Sequence, residues 1–191
     1  IDETYTPNPQ LPYALTHLLA ENICNYYNDT SNINCVNLRL SNSYGRPCFE
    51  DNNCWWLVVN DFCRSAFFEK RIVLRSNGSA LRDFIHYKDI FNAIQILIDS
   101  KKDISANNTF NLSSEKAYSI YQLAEIIKQV YFERYLIHIP IEMPTGIKVN
   151  QSKKEKLYIL SNSKLQSMGF KQEVDIEYGI LELFNYFESH E

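Results

Sequence analysis

Four side chains in this sequence have the type and spacing to do chemistry: Tyr13, His17, Asn42 and Arg82. Tyr13 and His17 stand four residues apart just after Pro12, a residue suited to the first turn of a helix, so one helical face carries both. A tyrosine hydroxyl can pass a proton, but an unperturbed phenol with a pKa of ~10 is only about 0.1% ionised at pH 7. Proton transfer by such a group calls for a cation nearby. An unperturbed imidazole, with a pKa of ~6.5, is mostly neutral at pH 7 and supplies little positive field, although its N–H can donate a hydrogen bond. Arg82 carries a planar guanidinium matched to pairs of phosphate oxygens; its plainer role is to pair with a carboxylate such as the adjacent Asp83. Asn42 lies in Ser41-Asn42-Ser43-Tyr44-Gly45, where an amide either serves a ligand or simply closes a turn. His86 alternates with Phe84 and reads as a packed or hydrogen-bonded histidine, not a ligand.

The elements that must position these residues alternate between helical and strand periods, which says α/β. After Pro12, Leu15, Leu18, Leu19, Ile23 and Tyr26 recur at helical spacing. Residues 33–40 read as a buried strand, and residues 55–68 as a mainly apolar helix. Strands at 71–75 and 81–86 are joined by the turn-forming Asn77-Gly78. Asp89 is placed to cap the next helix, Thr109 to Leu112 is a brief strand, and Ser119-x-x-Gln122 is a capping box. Leu136 to Pro140 reads as another strand, and Asp175 as the cap of a final helix with Ile176, Ile180, Leu183 and Phe187 in register.

Composition removes several classes. With 45% hydrophobic and 22% charged residues in 191, the chain is a globular one able to bury a core. A formal charge of -4 argues against a general nucleic-acid binder. Lys153, Lys154 and Lys156 form a short basic run that reads as a solvated loop. Five irregularly spaced cysteines show neither Cys-x-x-Cys nor a Cys/His ligand pattern, so neither a metal site nor a disulfide framework is expected and a reducing cytoplasm fits. No apolar run approaches the ~20 residues of a membrane span. The start, Ile1-Asp2-Glu3-Thr4, does not read as a signal peptide and lacks an initiator methionine, as in a piece of a longer chain. A dinucleotide cradle needs a Gly-rich turn between strand and helix, whereas the five glycines stand at 45, 78, 146, 169 and 179, no two of them close.

Four segments together resemble one family. They are Asp2-Glu3 followed by Pro12-Tyr13-Ala14-Leu15-Thr16-His17; Leu38-Arg39-Leu40-Ser41-Asn42-Ser43-Tyr44-Gly45-Arg46-Pro47; Asn77-Gly78 with Arg82-Asp83-Phe84-Ile85-His86 and Asp89; and Ser161-Asn162-Ser163-Lys164-Leu165 with Gly169-Phe170 and Gly179-Ile180. In this order and spacing they resemble the carboxyl-terminal part of the extended short-chain dehydrogenase/reductases, the nucleotide-sugar epimerases and dehydratases. The expected fold is therefore α/β: late strands and helices of a Rossmann-like sheet interleaved with the small substrate-binding lobe over residues 1–191, the dinucleotide-binding half lying elsewhere.

The resemblance implies roles. Tyr13 becomes the acid/base that exchanges a proton with a sugar hydroxyl, and with His17 it touches the nicotinamide end of NAD or NADP. Asn42 and Arg82 become diphosphate ligands. His17 departs from the pattern, because the family has lysine there, and that puts catalysis in doubt. Asn53, Trp55 and Trp56 fall in the family's segment closing over the nucleotide, with core packing as the plainer role for the tryptophans; Lys148 is the nearest candidate for a ribose contact. The implied activity is NAD(P)-dependent epimerisation, dehydration or reduction of a nucleotide-activated sugar, the competing one a degenerate nucleotide-sugar-binding or assembly subunit. The implied partners are a nucleotide-diphosphate sugar and a second copy, through the helix bearing Tyr13, or the missing amino-terminal half.

Overall fold

The computed structural model describes residues 1–49, 51–100, 108–144 and 159–190. Lys148 and the basic run at 153, 154 and 156 lie outside the described residues. In chain order the elements are α1 (Pro12–Thr30), β1 (Asn37–Leu40), β2 (Asn42–Tyr44), α2 (Val58–Arg64), a π-helical turn (Ser65–Glu69), β3 (Ile72–Val73), β4 (Leu81–His86) and α3 (Tyr87–Asp99). There follow β5 (Thr109–Leu112), β6 (Ala117–Ser119), α4 (Ile120–Tyr135), β7 (Ile141–Glu142), α5 (Ser163–Gln166) and α6 (Ile176–Ser189).

β1 pairs parallel with β5, and β2 pairs parallel with β4, which is flanked antiparallel by β6. Between β1 and β2 the chain stays extended and changes partner at Ser41, whose N–H donates to Leu112 O at 2.9 Å. That switch carries the chain from one packed body to another. On one side α3 and α5 close over β5 around Ile85, Leu97, Phe110, Leu112 and Leu165. On the other, α2, α4 and α6 meet around Phe62, Leu123, Ile127, Ile180 and Phe184. Two helices of the second body, α4 and α6, are capped at their amino ends by their own sequence. Ser119 and Gln122 complete a reciprocal capping box, and Asp175 accepts from Tyr178 N at 2.7 Å.

Several local expectations fail for tertiary reasons. The strands flanking Asn77-Gly78 do not pair with each other: β3 joins β7, and β4 lies between β2 and β6. The first strand begins at Asn37, and Ile33 is exposed. Residues 136–140 precede a two-residue strand instead of forming one. The helix expected over 55–68 starts at Val58 and ends in the π-helical turn.

Helix α1 attaches unusually. It buries no residue fully, and Leu15, Leu19, Ile23 and Tyr26 all face outward. Polar contacts, one turn apart, join it to β1 and to the loops that lead into β1 and β5. Glu21 takes two hydrogen bonds from Arg39 at 2.7 and 2.9 Å, Asn25 Oδ1 accepts from Asn108 at 3.0 Å, and the Asn28 amide pairs with both backbone groups of Cys35.

Candidate functional site

Pro12 starts α1, and Tyr13 follows in its first turn with 76% of its surface exposed. The His17 ring stands edge-on to it, centroids 4.6 Å apart at 65°. The contact is ring to ring, and no hydrogen bond joins the phenol to a lysine or arginine among the described residues. One turn of helix thus presents a phenol and an imidazole side by side at the surface. Both retain polar atoms for a ligand.

Asn42 and Arg82 meet at the β2–β4 pairing. Asn42 is opposite Phe84, and its amide donates to Asp83 O at 2.9 Å, so the side chain grips the backbone next to Arg82. Arg82 itself is exposed; its Nη1 donates to Leu81 O at 2.8 Å. It does not pair with Asp83. Alternation along β4 sends the Asp83 carboxylate to the other face, where it accepts from Ser114 N at 2.8 Å and Lys116 N at 3.1 Å. Among the described residues the charged fork has no carboxylate partner. No hydrogen bond or ion pair bridges Tyr13 or His17 to Asn42 or Arg82.

The other marked residues of these segments hold the structure together. Tyr44 is buried and its hydroxyl donates to Asp175 O at 3.2 Å. Gly45 has φ of +138°, and a Cβ there would lie 2.2 Å from Cδ1 of Tyr87. Asn60, fully buried, accepts from Gly45 N at 3.1 Å and donates to Gly45 O at 2.8 Å. Asp89 is not the expected cap. His86 takes that place, its Nδ1 accepting from Lys88 N at 3.3 Å. Asp89 is instead buried, accepting from Glu173 N at 2.8 Å and Val174 N at 3.2 Å, with its pKa raised by burial.

His86 is fully buried, as a packed histidine would be. With Nδ1 an acceptor, the neutral ring carries its proton on Nε2, 3.0 Å from Glu182 Oε2 but poorly aligned for a hydrogen bond. Burial pushes its pKa down to about 4 against the pull of Glu182. Glu182 also meets Lys88 Nζ at 2.7 Å, Tyr87 Oη at 3.4 Å and Arg46 Nε at 3.6 Å. Nothing local in the sequence sets Glu182 apart from the other polar positions of α6, such as Glu177, Asn185 and Glu188. Trp55 packs on Tyr186 and Phe187, whereas Trp56 is exposed and donates to Asn53 O at 3.0 Å. Two open cavities beside α3, of about 550 and about 330 Å³, share Asn92 and Glu173 and include none of the four candidate residues.

A protein-family model described as "NAD dependent epimerase/dehydratase family" matches residues 1–113. The chain belongs to that family. Its fold is the Rossmann-like one of the extended short-chain dehydrogenases. The UDP-N-acetylglucosamine 4-epimerase of Methanobrevibacter ruminantium, solved with UDP-N-acetylmuramic acid, superposes with a TM-score of 0.79 at 23% identity, over 100% of this chain and 58% of that one. The UDP-glucuronic acid 4-epimerase of Bacillus cereus, solved with UDP-glucuronic acid and NAD, gives 0.77 at 19%, over 100% and 57%. A putative UDP-glucose 4-epimerase of Methanocaldococcus jannaschii is 26% identical over 191 residues, covering 100% of this chain and 57% of the relative. The dTDP-L-rhamnose 4-epimerase of Burkholderia thailandensis is 29% identical over 177 residues, covering 93% and 46%. The chain spans about half the length of the curated relatives it matches. No described helix is long and apolar enough to cross a membrane.

Proposed function

We propose that this chain is the substrate-binding portion of an NAD(P)-dependent enzyme that epimerises, dehydrates or reduces a nucleotide-diphosphate sugar. The observation that carries the reading is Arg82, an exposed guanidinium with no carboxylate partner among the described residues, set beside Asn42 on adjoining strands. In this role Arg82 takes the diphosphate by bidentate, charge-assisted hydrogen bonds. Asn42 has one amide hydrogen committed to Asp83 O and keeps another donor for the same oxygens. Tyr13 gives and takes the sugar hydroxyl proton, and His17 donates to a ribose hydroxyl of the cofactor.

The described residues fit only the nicotinamide end of a dinucleotide: the Tyr13–His17 pair exposes polar atoms, and no Gly-rich turn is present for a pyrophosphate. In this reading the pyrophosphate cradle is not supplied by these 191 residues. When bound, the nicotinamide supplies hydride acceptance and return. The outward stripe of Leu15, Leu19, Ile23 and Tyr26 supports pairing of α1 with a second copy of the chain.

His17 favours a second reading, a subunit that binds nucleotide sugars without turning them over. Calorimetric titration with UDP-glucose tests the binding shared by both. Arg82→Ala should weaken affinity at least ~10-fold, and equal affinities would remove Arg82 from the site. In the polypeptide that carries the cofactor half, His17→Lys should raise turnover if the tyrosine lacks a cation; unchanged or lower turnover counts against that argument.

A further inference from the structure

The polar seam under α1 brings two thiols together. Cys24 lies on the half-buried face of α1, between Glu21 and Asn28, both of which grip the sheet. Asn28, one turn beyond Cys24, accepts from Cys35 N at 2.6 Å and donates to Cys35 O at 3.0 Å. Those two bonds fix the backbone of Cys35 against the same helical face, near enough that Cys35 is among the causes, after burial, that raise the Cys24 pKa. Cys48, Cys54 and Cys63 lie on other elements, and Cys63 is fully buried.

We infer that Cys24 and Cys35 form a reversible disulfide that fastens the catalytic-type helix α1 to the strand edge beneath it. The pair is positioned by the Asn28 clamp, not by chance collision of flexible segments. The chemistry is exchange with a small disulfide of the oxidised-glutathione class. One protein thiol attacks it and releases one reduced thiol; the second protein thiol then displaces the other. An S–S bond forms within the protein, the reagent S–S bond breaks, and two reduced thiols leave with the two protons. Partial burial raises the pKa of Cys24, so proximity and not an activated thiolate drives the reaction. The consequence is mechanical. Among the described residues, hydrogen bonds and the Glu21–Arg39 ion pair join α1 to the segments beneath it, and a covalent link there restrains the helix that presents Tyr13 and His17.

The test treats the folded protein with oxidised glutathione, traps remaining thiols by alkylation and maps peptides by mass spectrometry. The expected product links Cys24 to Cys35, is reversed by dithiothreitol, and melts roughly 5–10 °C above the reduced protein. Cys24→Ser and Cys35→Ser each abolish the link and leave the other partner alkylated. Recovery of Cys24 and Cys35 both alkylated after the exposed Cys48 has reacted would overturn the proposal, as would a link from either one to Cys48. A mapped Cys24–Cys35 link with no rise in melting temperature would overturn the fastening of α1.

Discussion

Glu182 Oε2 lies 3.0 Å from Nε2 of the fully buried His86, and through that contact α6 is tied to the end of β4. The carboxylate faces Lys88 and Arg46 as well, so the imidazole sits among charges of both signs. It nevertheless stays neutral, because burial outweighs the attraction of Glu182.

Stability should therefore fall in mild acid. An unfolded imidazole takes up its proton near pH 6.5, whereas His86 in the folded protein does so at about 4. Between those values the unfolded state binds more protons, so stability is lost as pH drops from about 6.5 to about 4 and this group contributes no further change below. Burial raises the Glu182 pKa, but the Lys88 hydrogen bond and the neighbouring positive charges win and lower it; its stabilisation fades below its unfolded value of ~4.5. Urea melts across this range should show a loss on the order of 2 kcal/mol by about pH 4.5, and His86→Gln should flatten the slope above it. An unchanged slope in the variant would assign the loss to other groups.

Asp83 and Arg82 are neighbours with separable effects. Asp83→Asn weakens the two backbone bonds that shape the turn at 114–116 and should cost about 1–3 kcal/mol in denaturant melts. Arg82→Ala should change stability by less than about 0.5 kcal/mol while reducing nucleotide-sugar affinity. A strongly destabilised Arg82→Ala would make the arginine structural.

Two glycines with positive φ should respond differently to alanine. At Gly45 the added Cβ meets the Tyr87 ring at 2.2 Å, and the left-handed backbone adds strain, so a loss above about 3 kcal/mol is expected. At Gly169 nothing lies within 4 Å, leaving only the backbone term of about 1 kcal/mol. Similar melting temperatures for the two variants would mean that the Tyr87 ring moves aside freely.

The Arg39–Glu21 pair is one of the few attachments of α1, and Arg39→Met removes it while keeping length. Amides of α1 should then exchange about 5-fold or more faster than those of α4, corresponding to about 1 kcal/mol of lost local stability. Equal acceleration throughout would show that α1 opens only with the whole molecule.

What could be read from sequence was chiefly what local chemistry decides. Pro12 marked α1, Ser119 and Gln122 marked α4, and Asp175 marked α6, because caps and first turns depend on residues three or four apart. Partner choice could not be read that way. Asn77-Gly78 makes a turn, yet the strands beside it belong to different sheets. Asp89 looked like a cap until the distant backbone at 173 and 174 claimed its oxygens. Apolar periodicity in α1 identified a helix but not which face the body covers. For the site, the sequence reading offered Asp83 as a partner for Arg82, and only the structure sends that carboxylate to the turn at 114–116; Glu182 likewise becomes visible only when α6 is laid against β4.

Asp83, His86 and Asp89 occupy a single short stretch, yet each stitches on a different distant part of the polypeptide: the turn at 114–116, α6, and the backbone at 173–174. A chain stripped of every chemical duty would still require those three knots to close its two bodies together. Possession of this signature thus certifies joinery. It is silent about whether the reaction runs, and a homologue that has become a pure scaffold will carry it as legibly as a working enzyme.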